Sequence, residues 1–457
     1  MSAPLLEALK ARNRRNTFRG HMPGHKGKRL PYLPDFAATE LDFTELRDTG
    51  NLYMGENIIS QAEHLAAEAF GAPNCSFLTG GATLGILTAL SLAVPPGSKI
   101  LVDRGCHSSV YNAMGLNDLY PVYLYSDNLD GFCVPGSIKP ACVRKALDAE
   151  PDIQAVVITS PNYYGIVSDI AAIASVCSEK NVKLIVDEAH GAHFPFIDGF
   201  SNAVSLGADF SIASAHKTLP APGQSALLFW KGEDCRRVKR FLSVYGTSSP
   251  SYYMLAALDG MRDYMQNGAG KEQYRRAIKR VNLLRRRINE QSDFIAMTPE
   301  NTGEYIDPLR LTIKTMNGFR DAERLESIFS VVPEMADSIN LVFILTGMDE
   351  DAEIDRLENS ILSLGKLGGR GKFFASPVIE PLHAEIILTP RNVLFSPFKF
   401  VSLKNAAGCV SATHISSFPP SLPLIAAGER IEEKHLEILI KRGYDPDTKV
   451  AIVSKNI

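Results

Sequence analysis

The sequence lacks the features that mark membrane-spanning, secreted and nucleic-acid-binding proteins. It has no run of about 18 apolar residues, and its first residues become basic after a short apolar patch, so neither a membrane span nor a signal peptide is predicted. The seven cysteines are odd in number and include no C-x-x-C pair, which argues against a disulfide framework and a zinc module. The formal net charge of -3 gives no basic footprint for a nucleic acid. We therefore expect a cytoplasmic globular protein that binds neither nucleic acid nor membranes.

The sequence does contain regularly spaced apolar runs that alternate with helical patterns. Five runs are apolar enough to be strands buried on both faces: Lys99–Asp103, 122–125, 154–159, Lys183–Asp187 and 225–229. Such strands are typical of a parallel sheet, and helical segments such as 170–180 would be the crossovers. The first half of the chain is therefore predicted to be an α/β domain with a mostly parallel sheet.

The length of 457 residues exceeds what one hydrophobic core usually supports. We expect an N-terminal arm over residues 1–50, a large domain over 51–290 and a smaller α+β domain over 291–457. Strands of the smaller domain are predicted at 310–313, 341–345 and 384–388. A basic amphipathic helix at 271–288 would link the two domains through its apolar stripe, although an RNA-binding helix is an alternative. The glycine-rich stretch 365–372 lacks the spacing of a phosphate loop and is expected to be a connection.

One lysine stands in an unusual setting, in the sequence SAHKTLP at residues 214–220. Lys217 follows an apolar stretch at 208–213, and Asp187 ends a predicted strand thirty residues earlier. Because ligands collect at the carboxyl ends of parallel strands, these two residues are expected to share one site. Spacing alone leaves open that Lys217 faces solvent and that Asp187 caps a helix.

A lysine, an acid and a glycine-rich turn together match the needs of pyridoxal 5'-phosphate (PLP). The PLP aldehyde needs an amine, its pyridine nitrogen needs an acidic partner, and its phosphate needs a helix N-terminus. The stretch LTGGATLG at 78–85 supplies glycines ahead of a helix, with the Thr83 hydroxyl beside them. Ser214 and His216 would add phosphate donors.

A metal site is the alternative for the histidines that follow Asp187. His190 and His193 form an H-x-x-H pair, and Glu188 stands close by in the sequence. This pattern differs from the H-E-x-x-H helix of zinc proteases, in which two histidines share one helix face with a glutamate. No metal is therefore expected.

Nine short motifs resemble, in order, those of the Orn/Lys/Arg decarboxylases, which are PLP enzymes of fold type I (aspartate aminotransferase-like). They are PGHKG (23–27), TELRD (44–48), FLTGGATLG (77–85), DRGCHSSV (103–110), DEAHGAHF (187–194), SAHK (214–217), TSSPSY (247–252), DPLRLTI (307–313) and TPR (389–391). The resemblance covers nearly the whole chain. It is to the shorter bacterial branch, which lacks an N-terminal receiver-like domain.

The resemblance implies a role for each matching residue around the cofactor. Lys217 would hold PLP as a Schiff base, Asp187 would pair with the pyridine nitrogen, and His107 would stack on the ring. His190 would lie near the ring. The phosphate would be bound by residues that follow the glycine turn and precede the lysine: Ala82, Thr83, Ser214 and His216.

The resemblance also implies an assembly. Thr247 and Ser248 would lie near the cofactor of a neighbouring subunit, which implies a homodimer or a higher homo-oligomer with composite sites. His25 and Lys26 would either anchor the N-terminal arm or contact the substrate.

The implied activity is PLP-dependent decarboxylation of a basic amino acid, with arginine favoured and lysine or ornithine open. Aminotransferases and other PLP-dependent lyases share the lysine and the acid, so they remain an alternative, as does a PLP-binding protein without catalytic activity. Many relatives have Arg, Glu and Tyr where this chain has Cys409, Thr413 and Phe418. These departures leave the choice of amino acid open, including one that is not basic.

Overall fold

A computed structural model describes residues 18–20, 45, 49–367, 384–417, 422–441 and 444–454, and the account below concerns these residues. Among them, no helix combines the length and the apolar character needed to cross a membrane. The strands are β1 (Phe18–Gly20), β2 (Asn74–Leu78), β3 (Lys99–Asp103), β4 (Tyr120–Leu124), β5 (Asn128–Leu129), β6 (Val134–Pro135), β7 (Ile153–Thr159), β8 (Ile166–Val167), β9 (Lys183–Asp187), β10 (Phe210–Ala213), β11 (Ala226–Trp230), β12 (Ile295–Ala296), β13 (Tyr305–Ile306), β14 (Arg310–Lys314), β15 (Val331–Pro333), β16 (Met335–Ala336), β17 (Asn340–Ile344), β18 (Phe398–Ser402), β19 (Ile415–Ser417), β20 (Leu422–Ile425) and β21 (Lys449–Val453).

The α-helices alternate with these strands through most of the described chain. They are α1 (Ile58–Phe70), α2 (Gly81–Ala93), α3 (Ser108–Leu116), α4 (Pro140–Ala149), α5 (Ile170–Glu179), α6 (Ala215–Thr218), α7 (Cys235–Tyr245), α8 (Tyr252–Gln266), α9 (Ala269–Gln291), α10 (Pro299–Thr302), α11 (Gly318–Phe329), α12 (Asp351–Leu367), α13 (Pro390–Leu394) and α14 (Glu433–Lys441).

A seven-stranded sheet forms the centre of the structure, in the order β2-β11-β10-β9-β7-β3-β4. The five strands from β10 to β4 are parallel, and β11 runs antiparallel to both of its neighbours. The α/β fold with a mostly parallel sheet is thus confirmed. The strand predicted at 225–229 is β11, the antiparallel member of the sheet.

Helices cover both faces of this sheet, which explains why its strands are apolar along their whole length. Helices α2, α3 and α7 pack with one face in a buried cluster that includes Ile86, Val110 and Val238. Helices α4 and α5 pack with the other face, around Val143 and Ile173. Side chains on both faces of a strand are removed from water, so an alternating polar pattern is absent.

Local signals in the sequence set the limits of the helices. Helix α1 begins at a capping box in which Asn57 and Ser60 each accept from the backbone of the other. It ends at Gly71, whose φ of 69° lies in the left-handed region that favours glycine. Helix α9 buries Tyr274, Leu284 and Ile288 in the core and leaves its basic face outward, so the predicted helix at 271–288 is confirmed.

A second sheet of four antiparallel strands, β12-β14-β17-β16, lies beyond α9. Strands β14 and β17 match the strands predicted at 310–313 and 341–345. The strand predicted at 384–388 is wrong: Ile386 makes one isolated bridge to Glu429 and is 43% exposed, so no neighbouring strand or core covers it. The connection predicted at 365–372 is wrong at its start, because α12 continues to Leu367. Residues 368–372 lie outside the described part.

The last described segments form a small unit with its own core, which we call the C-terminal unit (residues 384–417, 422–441 and 444–454). Strands β18 and β21 pair in it, as do β19 and β20. Leu403, Ile425, Ile431 and Leu439 are among the residues buried at its centre. The unit contacts the carboxyl end of β3 through Arg104, which binds Glu429, and this contact brings it to the edge of the sheet where the site lies.

Candidate active site

A cavity of about 1120 Å³ opens at the carboxyl ends of β3, β7 and β9. This is the edge at which ligands bind in open α/β sheets. Eight of the ten residues predicted for the site line the cavity: Ala82, Thr83, His107, Asp187, His190, Ser214, His216 and Lys217. Thr247 and Ser248 do not line it; they follow α7 in an exposed bend of this chain.

Lys217 lies in the one-turn helix α6, directly after β10, so its side chain projects from the end of a rigid strand. Its Nζ lies 3.0 Å from Nε2 of His190. Burial lowers the pKa of Lys217, the nearby Asp187 carboxylate opposes this shift, and Arg310 strengthens it. A lysine in such a setting is a better nucleophile than a solvated one, because more of it carries a free lone pair.

Two acidic side chains reach the cavity from the ends of β9 and β3, the strands on either side of β7. Asp187, at the end of β9, is 3% exposed, and its Oδ1 accepts a hydrogen bond from the backbone of Ala189 at 3.1 Å. Asp103 ends β3, and burial raises its pKa to about 6, with a smaller contribution from Asp187. The sequence analysis did not assign Asp103, although it ends a predicted strand just as Asp187 does.

His107 presents its ring to the cavity from the start of α3. It is exposed, and its Nδ1 caps the helix by accepting from the backbone of Ser109 at 3.2 Å. Because Nδ1 accepts, an uncharged His107 carries its proton on Nε2. Protein atoms that surround part of the ring limit its hydration and lower the pKa of His107; Asp187 opposes this shift and Lys217 adds to it. A flat, uncharged ring open to the cavity is suited to stacking.

Helix α2 points its N-terminus into the cavity. Its N-cap is Gly80, which has no side chain to bind the free N–H groups of the first turn, and Gly81, Ala82 and Thr83 line the cavity. An uncapped N-terminus of a 13-residue helix offers backbone donors and a positive dipole end to an anion. His216 was predicted to donate a hydrogen bond to the phosphate. Its Nδ1–H already binds the Ser225 carbonyl at 3.0 Å, so in an uncharged ring Nε2 is an acceptor, and only a protonated ring could donate from Nε2.

These groups match what PLP requires, judged by the donor set alone. A buried amine, a buried carboxylate, an exposed imidazole ring and an uncapped helix N-terminus surround one cavity. The cavity volume of about 1120 Å³ leaves space for a cofactor together with an amino acid. The described residues include no group of three metal-ligating side chains. His193 binds Asp307 at 3.0 Å instead of turning toward Glu188.

The far wall of the cavity carries acidic side chains that the sequence analysis missed. Glu323 and Glu326 lie three residues apart on α11, and Glu334 follows β15. Glu334 accepts a hydrogen bond from the Tyr163 hydroxyl at 2.6 Å. The spacing of Glu323 and Glu326 on one helix face could be read from the sequence, but no sequence pattern showed that this face lines the cavity.

The C-terminal unit closes one side of the cavity with His414, Ser416, Pro423 and Leu424. Burial and, less strongly, the charge of Arg104 together lower the pKa of His414 to about 4. Cys409 and Thr413, where the chain departs from many relatives, do not line the cavity. Phe418, His25 and Lys26 lie outside the described residues.

Comparison with known proteins places this site in a family. The sequence profile described as "Orn/Lys/Arg decarboxylase, major domain" matches residues 3–362. A Bacillus subtilis (strain 168) protein named "Uncharacterized protein YaaO" is 32% identical over 96% of this chain and 94% of its own length. An "Arginine decarboxylase" of Halalkalibacterium halodurans is 29% identical over 95% of this chain and 92% of its own length.

A solved structure supports the same fold. The constitutive lysine decarboxylase of Escherichia coli superposes with a TM-score of 0.76, at 20% sequence identity, over 99% of this chain and 82% of that chain. The fold-type-I expectation drawn from the sequence motifs is therefore confirmed.

Proposed function

Because the chain belongs to the Orn/Lys/Arg decarboxylase family, we propose that it removes the α-carboxylate of arginine as CO2 and uses PLP held by Lys217. Decarboxylation of a basic amino acid follows from the family. The use of PLP and the choice of arginine go beyond what the family alone gives. The observation that carries the proposed cofactor site is the Lys217 amine, 3.0 Å from His190, in the cavity that Asp187 and the N-terminus of α2 also line.

Each cofactor contact has a candidate residue in this chain. PLP, when bound, supplies a conjugated ring that accepts the electron pair released as CO2 leaves the α-carbon. Asp187 is the carboxylate for the pyridine nitrogen, and His107 supplies the ring that stacks. The backbone donors of Ala82 and Thr83 bind the phosphate at the start of α2, with the Ser214 hydroxyl alongside.

In the proposed reaction the protein has two tasks: it delivers one proton to the α-carbon, and it limits the access of water. The departing CO2 is replaced at the α-carbon by a proton, so the product is the corresponding amine. Lys217 is the proposed proton donor: its Nζ lies in the cavity, and after its release from the cofactor the amine can take up a proton, which its lowered pKa makes easier to pass to the α-carbon. The walls formed by Tyr163, His414 and Leu424 limit the access of water to this position.

A basic substrate is favoured by the acidic far wall. Glu323, Glu326 and Glu334 line the side of the cavity formed by α11 and β15, so a cationic group at the end of a long side chain would meet carboxylates there. A guanidinium group binds carboxylates through two parallel hydrogen bonds, which an ammonium group cannot form. The "Arginine decarboxylase" of Halalkalibacterium halodurans, a relative over 95% of this chain, supports the same choice.

A homodimer with composite sites belongs to the same proposal. Thr247 and Ser248 lie outside the cavity of their own chain, in an exposed bend after α7. In the proposed assembly this bend reaches the cofactor of the partner subunit.

Product analysis tests the proposed reaction. The purified protein is supplied with PLP and, separately, with arginine, lysine, ornithine and a neutral amino acid such as leucine, and the products are identified by mass spectrometry. The expected result is agmatine and CO2 from arginine, with slower or no amine formation from the others. An oxo acid from any of them would indicate an aminotransferase, and amine formation from leucine alone would contradict the acidic wall as a selector.

A further inference from the structure

Three side chains from separate parts of the fold form a hydrogen-bonded series that ends at Lys217. Nη2 of Arg310, at the start of β14, lies 2.9 Å from Nδ1 of His190. Nε2 of the same imidazole lies 3.0 Å from Nζ of Lys217, which is half-buried at the cavity wall. Arg310 is 1% exposed and His190 is 5% exposed, so the bond between them is shielded from water.

The direction of both hydrogen bonds follows from the donor that begins the series. A guanidinium nitrogen only donates, so Nδ1 of His190 has to accept and cannot carry a proton. An uncharged imidazole then carries its proton on Nε2 and donates to Lys217. Because an ammonium group has no lone pair to accept with, this arrangement requires Lys217 to be an uncharged amine.

We propose that Arg310 is a positioning residue that fixes His190 as the Nε2–H tautomer and thereby keeps the Lys217 amine uncharged and ready to bond the cofactor. This inference rests on the cofactor-binding role of Lys217 proposed above. Arg310 acts through His190 and does not line the cavity.

The charges around the series determine how strongly this arrangement is held. The groups that act on Lys217 and His190 from the packed elements are Asp187 at the end of β9, His107 at the start of α3, His216 on α6 and Glu334 after β15. Burial lowers the pKa of His190 well below its ordinary value, and Lys217 and Arg310 lower it further. For the pKa of Lys217 the same two causes, burial and Arg310, outweigh the opposing Asp187 carboxylate.

Arg310 should destabilise the fold in this position, and a functional role would explain why the residue is there. Its Nε and Nη1 are buried and have no hydrogen-bond partner among the described residues. A buried charge with unpaired donors destabilises a fold, and such groups recur where function requires them. The structure also makes space for its stem: a Cβ placed on Gly165, which has a φ of +91°, would collide with Cβ and Cγ of Arg310.

Arg285 provides a matched control. It is also buried, and it donates to the backbone carbonyls of Asp307, Pro308 and Arg310, so it supports the same segment without touching His190. A purely structural role for Arg310 predicts that the loss of either arginine has similar consequences.

The test measures the rate at which cofactor-free protein takes up PLP as a function of pH, which is independent of turnover. The rate follows the uncharged fraction of Lys217, so its midpoint reports the pKa of that amine. We expect Arg310→Met to shift the midpoint upward by about one pH unit, which slows uptake on the order of tenfold below the midpoint. Arg310→Lys keeps the charge and a donor, so its midpoint should lie closer to the parent value than to that of Arg310→Met. Arg285→Met should have the midpoint of the parent protein.

A measurement on the parent protein does not depend on whether a variant folds. In the cofactor-free parent protein, ¹⁵N spectra of labelled histidines, assigned with His190→Gln, should show Nδ1 of His190 unprotonated and Nε2 protonated. A protonated Nδ1, an unchanged midpoint in Arg310→Met, or an equal shift in Arg285→Met would overturn the inference. A parent protein that takes up no PLP at any pH would instead contradict the proposed function, and this inference with it.

Discussion

Arg104 and Glu429, 325 positions apart in the sequence, form a buried ion pair with two parallel hydrogen bonds of 2.6 and 2.7 Å. Arg104 also donates to the carbonyls of Pro423 and Leu424, at 3.2 Å each. Burial alone would lower the pKa of Arg104, but the bonds to Glu429 raise it on balance. One side chain at the end of β3 thus holds the loop of the C-terminal unit that closes the cavity.

Removing both partners of this pair should destabilise the protein by less than the sum of the two single removals. Arg104→Met leaves the Glu429 carboxylate buried without its counter-charge, and we expect the free energy of unfolding to fall by about 3–5 kcal/mol. The double variant Arg104→Met/Glu429→Met should lose less than the sum of the single variants. Urea denaturation measures both, with Arg144→Met, from an exposed pair with Glu179, as the control that changes the midpoint little. Additive losses would contradict a buried pair.

The acidic far wall predicts a change in substrate affinity rather than in chemistry. Glu323→Gln removes one carboxylate from α11, and kcat/KM for arginine should fall by about three- to tenfold, mainly through KM. PLP uptake should be unchanged. Steady-state kinetics with arginine check this, and Glu290→Gln, exposed on α9 and outside the cavity, is the control. An unchanged KM in Glu323→Gln would show that this carboxylate does not contribute to substrate binding.

The buried Glu188 should make stability depend on pH. Burial raises the pKa of Glu188 to about 8, although Ser211 and the backbone of Ala203 donate to it. Because the folded pKa lies above the ordinary value of 4.5, the contribution of Glu188 to stability is complete below pH 4.5 and is lost as the pH rises through 8.

Glu188→Gln, which keeps the shape without the ionisation, should therefore gain stability relative to the parent between pH 5 and pH 9. The gain is expected to reach at most about 5 kcal/mol, since one pKa unit corresponds to about 1.4 kcal/mol. Unfolding midpoints measured at several pH values check this, with Glu290→Gln as a variant whose difference from the parent stays constant. A flat difference for Glu188→Gln would show that its carboxyl group ionises normally in the folded protein.

The composite site predicts complementation between two inactive chains. In a hybrid of a Lys217→Ala chain and a Ser248→Tyr chain, one site would carry both changes and the other neither. We expect a purified hybrid to recover up to about half the activity of the parent dimer, while each homodimer stays inactive or nearly so. Two different affinity tags allow the hybrid to be isolated. An inactive hybrid would place Ser248 in the site of its own chain.

The features of this structure that could be predicted from the sequence are those that depend on local sequence patterns. Continuous apolar runs indicated β3, β9 and three further strands of the sheet, β4, β7 and β11, and strand ends pointed to Asp187 and Lys217. The direction of β11 was not predictable, because a strand buried on both faces has the same apolar pattern whichever way it runs. The segment 384–388 has strand-like residues, yet within the described part of the chain it forms one isolated bridge, between Ile386 and Glu429, and no strand.

The contacts that complete the site join residues far apart in the chain. Arg310 lies 120 positions from His190, and Arg104 lies 325 positions from Glu429. No spacing rule connects such residues, since the sheet order and the packing of the C-terminal unit bring them together. The motif DPLRLTI indicated that the segment around Arg310 belongs to the family, but it did not indicate which ring the guanidinium binds.

We propose that the Lys217 amine holds PLP covalently, and reductive trapping is the most direct test. The protein is loaded with PLP, reduced with borohydride, digested and examined by mass spectrometry. The added cofactor mass should lie on the peptide that contains Lys217 and be absent from Lys217→Ala. Cofactor mass on a different lysine, or on none, would contradict the proposed role of Lys217.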